Sequence, residues 1–167
     1  MKIKSLLLFS ALVGLLIGTI STAYASDKGI VAHGRYLAQV AGCNDCHTPG
    51  YVMSNGQVPE AQWLTGDSFG WNGPWGTTYG SNLRLYVSKL SEDEWVKDAK
   101  TLTRRPPMPW FNLNAMSEHD LRALYQYMKS LGEPGQPAPA ALPPGQEPPM
   151  PYMTLMASPP PGVQAKK

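Results

Sequence analysis

The only two cysteines of the chain stand in one short run, Cys43-Asn44-Asp45-Cys46-His47. Composition gives such a C-x-x-C-H run odds on the order of 10⁻⁴, so its spacing needs a chemical reason. Covalent attachment of a c-type haem supplies one. Two thiols at this spacing add across the two vinyl groups of the porphyrin, and the adjacent imidazole reaches beneath the ring to ligate iron. Two other chemistries use the same residue types. A C-x-x-C pair can cycle between dithiol and disulfide, but such pairs stand beside βαβ patterns, and no parallel-strand pattern is visible. A zinc site takes four ligands, and only Cys43, Cys46 and His47 cluster in the sequence. The spacing therefore favours one haem c, with Cys43 and Cys46 as its covalent anchors and His47 as an axial iron ligand.

A methionine thioether on the opposite side of the iron would raise the reduction potential and close the metal to small molecules. Beyond the initiator the chain has Met53, Met108, Met116, Met128, Met150, Met153 and Met156. Met128 falls on the apolar face of a helix, Met116 just precedes that helix, and Met53 follows the cysteine run too closely to cross the ring. Met108 lies in Pro106-Pro107-Met108-Pro109, where proline restricts the backbone on both sides. A ligand on a stiff loop loses little entropy on binding, so Met108 is the expected second axial ligand and Met116 its rival. His33 and His119 are further possible ligands, though their positions suit ordinary surface residues better. Arg104, Arg105 and the indoles of Trp63, Trp71, Trp75 and Trp95 are candidates for partnering the haem propionates. The sequence does not choose among them. Met150, Met153 and Met156 are evenly spaced, and soft thioethers suit Cu(I). With no Cys or His nearby, the simpler reading makes them apolar anchors for a packed tail.

Three helices are predicted to position these groups. Residues 28–41 place Ile30, Gly34, Leu37 and Ala41 on one face, with Ser26 or Asp27 as cap. A second helix starts after Ser91, where Ser91 and Glu94 form a capping box and Leu90 and Trp95 a hydrophobic staple. The third repeats the device with Ser117, Asp120, Met116 and Leu121. It then sets Leu121, Leu124, Tyr125 and Met128 on one face and stops at Leu131-Gly132. Residues 48–83, rich in Gly and carrying Trp63, Trp71 and Trp75, read as a long loop that needs something to wrap around.

Around this core the composition changes twice. Residues 1–25 carry Lys2 and Lys4, an apolar run and an Ala23-Tyr24-Ala25 ending, the pattern of a secretory signal peptide cleaved after Ala25. An uncleaved anchor is the alternative, since residues 5–26 bear no charge. Export implies a periplasmic location, with membrane contact only if that segment is retained. Residues 133–167 form a Pro-rich extended tail: 11 of the 17 prolines lie beyond Leu131. Between them, residues 26–132 make the domain, a marginal size for a core without a cofactor or staple. Without Lys2 and Lys4 the basic and acidic residues balance, and no basic stretch exists to grip phosphates. Nucleic-acid binding and a disulfide scaffold are both disfavoured.

The chain resembles the class I c-type cytochromes of the bacterial monohaem kind. Gly34-Arg35-Tyr36-Leu37 precedes the cysteine run, Arg105-Pro106-Pro107-Met108-Pro109-Trp110 follows, and Asp120-Leu121-x-Ala123-Leu124-Tyr125-x-Tyr127 closes the match, which covers about residues 28–132. The Pro-rich tail exceeds what a minimal member needs. The resemblance implies an all-α fold, a helical shell around one covalent haem with the first and last helices crossing. It places Met108 opposite His47. It also implies single-electron transfer without bond-making catalysis, between a dehydrogenase or quinol-oxidising complex as donor and an oxidase or reductase as acceptor. The alternatives are a haem c subunit of a larger periplasmic dehydrogenase complex, and an open-site haem enzyme or gas- or peroxide-binding protein.

Overall fold

The computed structural model describes residues 28–132, 135–149 and 151–156. The signal segment, the Ala25 cleavage point, the caps Ser26 and Asp27, and Met150 lie outside them. Helix α1 (28–40) crosses the long helix α6 (Glu118–Ser130) at Gly34. A Cβ on residue 34 would sit 1.9 Å from the Ala123 carbonyl oxygen, so only glycine lets the two backbones meet. Helix α4 (Glu92–Thr101) packs against α6, and its N-terminus carries the complete Ser91–Glu94 capping box. Ser117 caps α6 by accepting from the Asp120 N–H at 3.1 Å. Leu121, Leu124, Tyr125 and Met128 of α6 meet Ala38, Trp95, Val96 and Ala99 in the core, with Leu90 and Met116 partly buried against it.

Three more helices are too short to show a periodicity: α2 (Cys43–His47), α3 (Leu83–Ser88) and α5 (Trp110–Ala115). Each has fewer than two turns and depends on neighbours for its stability.

The expected all-α architecture is corrected by a three-stranded mixed sheet. Strands β1 (Gly70–Gly73) and β2 (Gly76–Tyr79) form an antiparallel hairpin, and β3 (Tyr152–Thr154) adds parallel to β1, in the order β2-β1-β3. The reason lies in length and in distance along the chain. Four-residue strands built around Gly70, Gly73 and Gly76 leave no room for apolar–polar alternation, and β3 comes from far along the tail. The stretch 48–83 is thus not one loop but a 3₁₀ turn (Glu60–Gln62), a hairpin and the connections between them.

The tail covers both edges of the hairpin. Leu142 exchanges two backbone hydrogen bonds with Thr77 along the outer side of β2, at 3.1 and 2.9 Å, and β3 takes the outer side of β1. Covering the edges removes unpaired strand groups that would otherwise invite another chain. Met153 and Met156 do not anchor it, since they are 47% and 74% exposed. Main-chain pairing holds the tail, with help from Arg105, which donates to the Leu142 carbonyl at 3.2 Å. Gly76 makes the approach possible. Its φ is +97°, and a Cβ there would lie 2.2 Å from the Leu142 oxygen. Gly76→Ala should therefore cost about 1–2 kcal/mol and free residue 142 from β2. Faster amide exchange at Thr77 and Leu142 is the expected readout, and unchanged protection there would refute the pairing.

Candidate functional site

The Cys43–His47 run is a single helical turn clamped from two sides. Gly42, at φ +71°, turns the chain into α2, and Thr48 ends it. Within the turn the Thr48 hydroxyl donates to Asn44 Oδ1 at 2.7 Å, while the Leu64 N–H donates to the same hydroxyl at 2.8 Å. The Gly66 N–H donates to the His47 carbonyl at 2.8 Å. On the other side Gly80 presses on the backbone of Cys46, where a Cβ would come within 1.7 Å of the carbonyl oxygen. Ser81 follows directly, and its carbonyl accepts from His47 Nδ1–H at 2.7 Å.

That bond decides what the imidazole can do. A proton on Nδ1, held by a carbonyl, leaves the lone pair on Nε2 for a metal. Burial, opposed by the Ser81 bond, keeps His47 below the usual imidazole range, so it is neutral near pH 7. His47 borders two adjoining cavities. The outer cleft is lined by Cys46, His47, Trp71, Tyr79, Arg104, Arg105 and Met108 among others, and the inner, apolar one by Cys43, Cys46, His47, Leu64, Met108, Leu113 and Met116. Met108 borders both.

The Met108 segment is held in place by its neighbours. The Thr78 hydroxyl on β2 donates to the Pro106 carbonyl at 2.8 Å, and Asn114 Nδ2 on α5 donates to the Ala99 carbonyl at 2.7 Å. Lys100 Nζ donates to the Met116 carbonyl. So α5 and the proline loop form a wall fixed to both β2 and the end of α4. The structure brings Cys43, Cys46, His47 and Met108 to one cleft, together with Met116. Met128 also reaches the inner cavity, though it is 2% exposed and packed in the core, while Met53 is 88% exposed and borders neither cavity.

The rival chemistries of the cysteine run fare poorly in this setting. Desolvation, reinforced by Asp45, pushes the Cys43 thiol up to about 11, and burial, Asp45 and Asp67 push Cys46 up as well. A thiol–disulfide switch needs the opposite shift, toward thiolate. Nor do Cys43, Cys46 and His47 converge on a point where a metal ion would fit. Among the described residues the only such group is His33, His119 and Asp120, elsewhere on the molecule. A porphyrin fits the donor set better, because it takes two separate thiols and one imidazole along an apolar wall.

Candidates for the cleft mouth also separate. The Trp63 and Trp95 indoles are committed to the Val58 and Leu121 carbonyls, each at 2.8 Å. Trp75 keeps a buried N–H without a partner but is not among the cleft residues. Arg104, Arg105 and Trp71 line the cleft. Sequence reasoning missed Ser81 and Gly80, which act through backbone and carry no side-chain signal. It also missed Arg84, a lone cation within the apolar run Leu83-Arg84-Leu85 that a closer reading would have flagged. No family model, curated protein or solved structure matches the chain.

Proposed function

We propose that this protein is a periplasmic c-type cytochrome that carries one covalent haem and passes single electrons between larger redox partners. The observation that carries the reading is the Cys43-x-x-Cys46-His47 turn, with His47 Nδ1 engaged by Ser81 and Met108 bordering the same apolar cleft. A bound haem supplies reversible one-electron exchange at iron. Cys43 and Cys46 would hold the ring by thioether bonds, and His47 would offer Nε2 to the metal. Met108, on its proline-stiffened loop, would offer a thioether that favours the ferrous state. Leu64, Leu113 and neighbouring apolar side chains would exclude water from a bound ring. Arg104 and Arg105 bring positive charge to the outer cleft, where two carboxylates of the ring would be neutralised. Among the described residues no helix is long and apolar enough to cross a membrane. The resemblance to class I c-type cytochromes supports the same reading through residues 28–132, and it supports a donor and an acceptor that are themselves redox proteins. A transient encounter would bury little surface.

The test is expression of the full chain in a host that exports proteins and attaches haem. The purified protein should show the absorption of a low-spin c-type haem. Its mass should exceed that of the polypeptide by one haem that survives denaturation. Cys43→Ala/Cys46→Ala should lose the covalent attachment. A colourless protein of bare polypeptide mass would overturn the proposal.

A further inference from the structure

Away from the cleft, two helices bring His33, His119 and Asp120 together. His33 lies on α1, while His119 and Asp120 stand in the first turn of α6. Asp120 Oδ1 is 2.7 Å from His33 Nε2 and 3.7 Å from His119 Nδ1, and the two imidazole rings are 5.4 Å apart, tilted by 38°. One potential ligand atom from each residue lies within 4.8 Å of the others. We propose that this cluster binds a divalent transition cation, Zn²⁺ or Cu²⁺.

Donor chemistry comes first. Two imidazoles and a carboxylate are ligands that both ions accept, and three protein ligands leave a fourth position for water at the surface. An ion with bonds of about 2.1 Å needs tetrahedral ligand atoms about 3.4 Å apart. The 3.7 Å pair is already near that separation, and the 2.7 Å pair has only to open slightly. Adjustment falls to the two imidazoles, His33 at 36% and His119 at 73% side-chain exposure, which have room to turn.

The carboxylate and the backbone that carries the rings are held. Asp120 Oδ2 accepts from the Ser117 hydroxyl at 2.8 Å, which orients the carboxylate and leaves Oδ1 turned to the histidines. His33 stacks on Tyr36, with ring centroids 6.4 Å apart and planes 20° from parallel. The distance between α1 and α6 is set one residue from His33, where Gly34 meets Ala123 backbone to backbone. Rigid elements give a site its precision. The existing His33–Asp120 hydrogen bond is partly exposed and contributes little, so a cation that replaces it sacrifices little. None of the three residues lines the haem cleft, and the site stands whether or not the chain carries haem.

The experiment uses the full-length protein, free of any affinity tag and dialysed against chelator. Zn²⁺ is titrated by calorimetry, and the imidazole resonances of His33 and His119 are followed by NMR. One equivalent should bind, with both imidazoles shifting together. His33→Gln and His119→Gln should each weaken binding at least about 10-fold, while melting without metal stays near that of the parent. The histidine variants are chosen because Asp120→Asn would also disturb the α6 cap. Absence of saturable one-to-one binding would overturn the proposal. So would binding that survives unchanged in the His33→Gln/His119→Gln double variant.

Discussion

In the haem-loaded protein proposed above, Met108→Ala should open the iron. In the reduced protein carbon monoxide should bind where the parent excludes it, and the weak sulfur-to-iron band at the red end of the oxidised spectrum should vanish. The reduction potential should fall by on the order of 0.1 V, within the roughly 0.8 V range that axial ligands span. A thioether favours ferrous iron and fills the position that small ligands need, so its loss reverses both effects. Met116 is the informative comparison, since it borders the inner cavity beside Met108 and packs partly buried against the core. Met116→Ala should leave the band and the carbon monoxide exclusion intact and cost about 1–2 kcal/mol of stability. The two variants differ in kind of damage, one at the metal and the other in packing. Reversal of the two outcomes would move the ligand to Met116, and an intact band in both would place it outside the proline loop.

Arg84→Leu should destabilise the fold by about 3–5 kcal/mol, measured by denaturant unfolding. Arg84 is 3% exposed, and its guanidinium donates to four main-chain carbonyls. Nε reaches Trp63 at 2.7 Å, Nη1 reaches Leu131 at 3.0 Å, and Nη2 reaches Glu60 and Ala61 at 3.2 and 3.0 Å. Leucine matches the burial but leaves all four acceptors without their donor. That penalty exceeds the modest net worth of the bonds themselves. The consequences should reach the candidate haem site, because the segment Arg84 secures, residues 60–63, leads directly into Leu64 and Gly66, which brace Thr48 and the His47 carbonyl. Arg84→Lys should recover only part of the loss, since an ammonium cannot spread donors over carbonyls from two separate segments. A change below about 1 kcal/mol in Arg84→Leu would mean that the 60–64 segment is held by something else.

Much of the candidate site was legible because its chemistry is local. The Cys43–His47 spacing, the stiff Pro-Met-Pro loop and the Ser91 and Ser117 caps all act over a few residues, and each leaves its mark in consecutive letters. The long helix α6 was legible for a related reason, since thirteen residues are enough for an apolar face to repeat. What escaped were features whose partners are far apart in sequence. The hairpin has strands of four residues, and its third strand arrives from the tail, so no window of sequence holds the pairing. Helices α2, α3 and α5 form because of what they touch. Ser81 and Gly80 serve through carbonyl and backbone, which every residue type offers alike.

Sequence by itself determined which atoms are available: two thiols and an imidazole at haem spacing, one proline-framed thioether, and helix caps with the residues that fill them. Tertiary structure decided how those atoms are held. It chose the His47 tautomer through the Ser81 carbonyl, brought Met108 to the wall of the same cleft, and folded the tail along both edges of a hairpin. It also set His33 beside Asp120 across 87 residues. The division follows from range. Spacing within a turn of chain is written in covalent geometry, whereas contacts between distant segments exist only once burial of the core has offset the entropy of closing the chain between them.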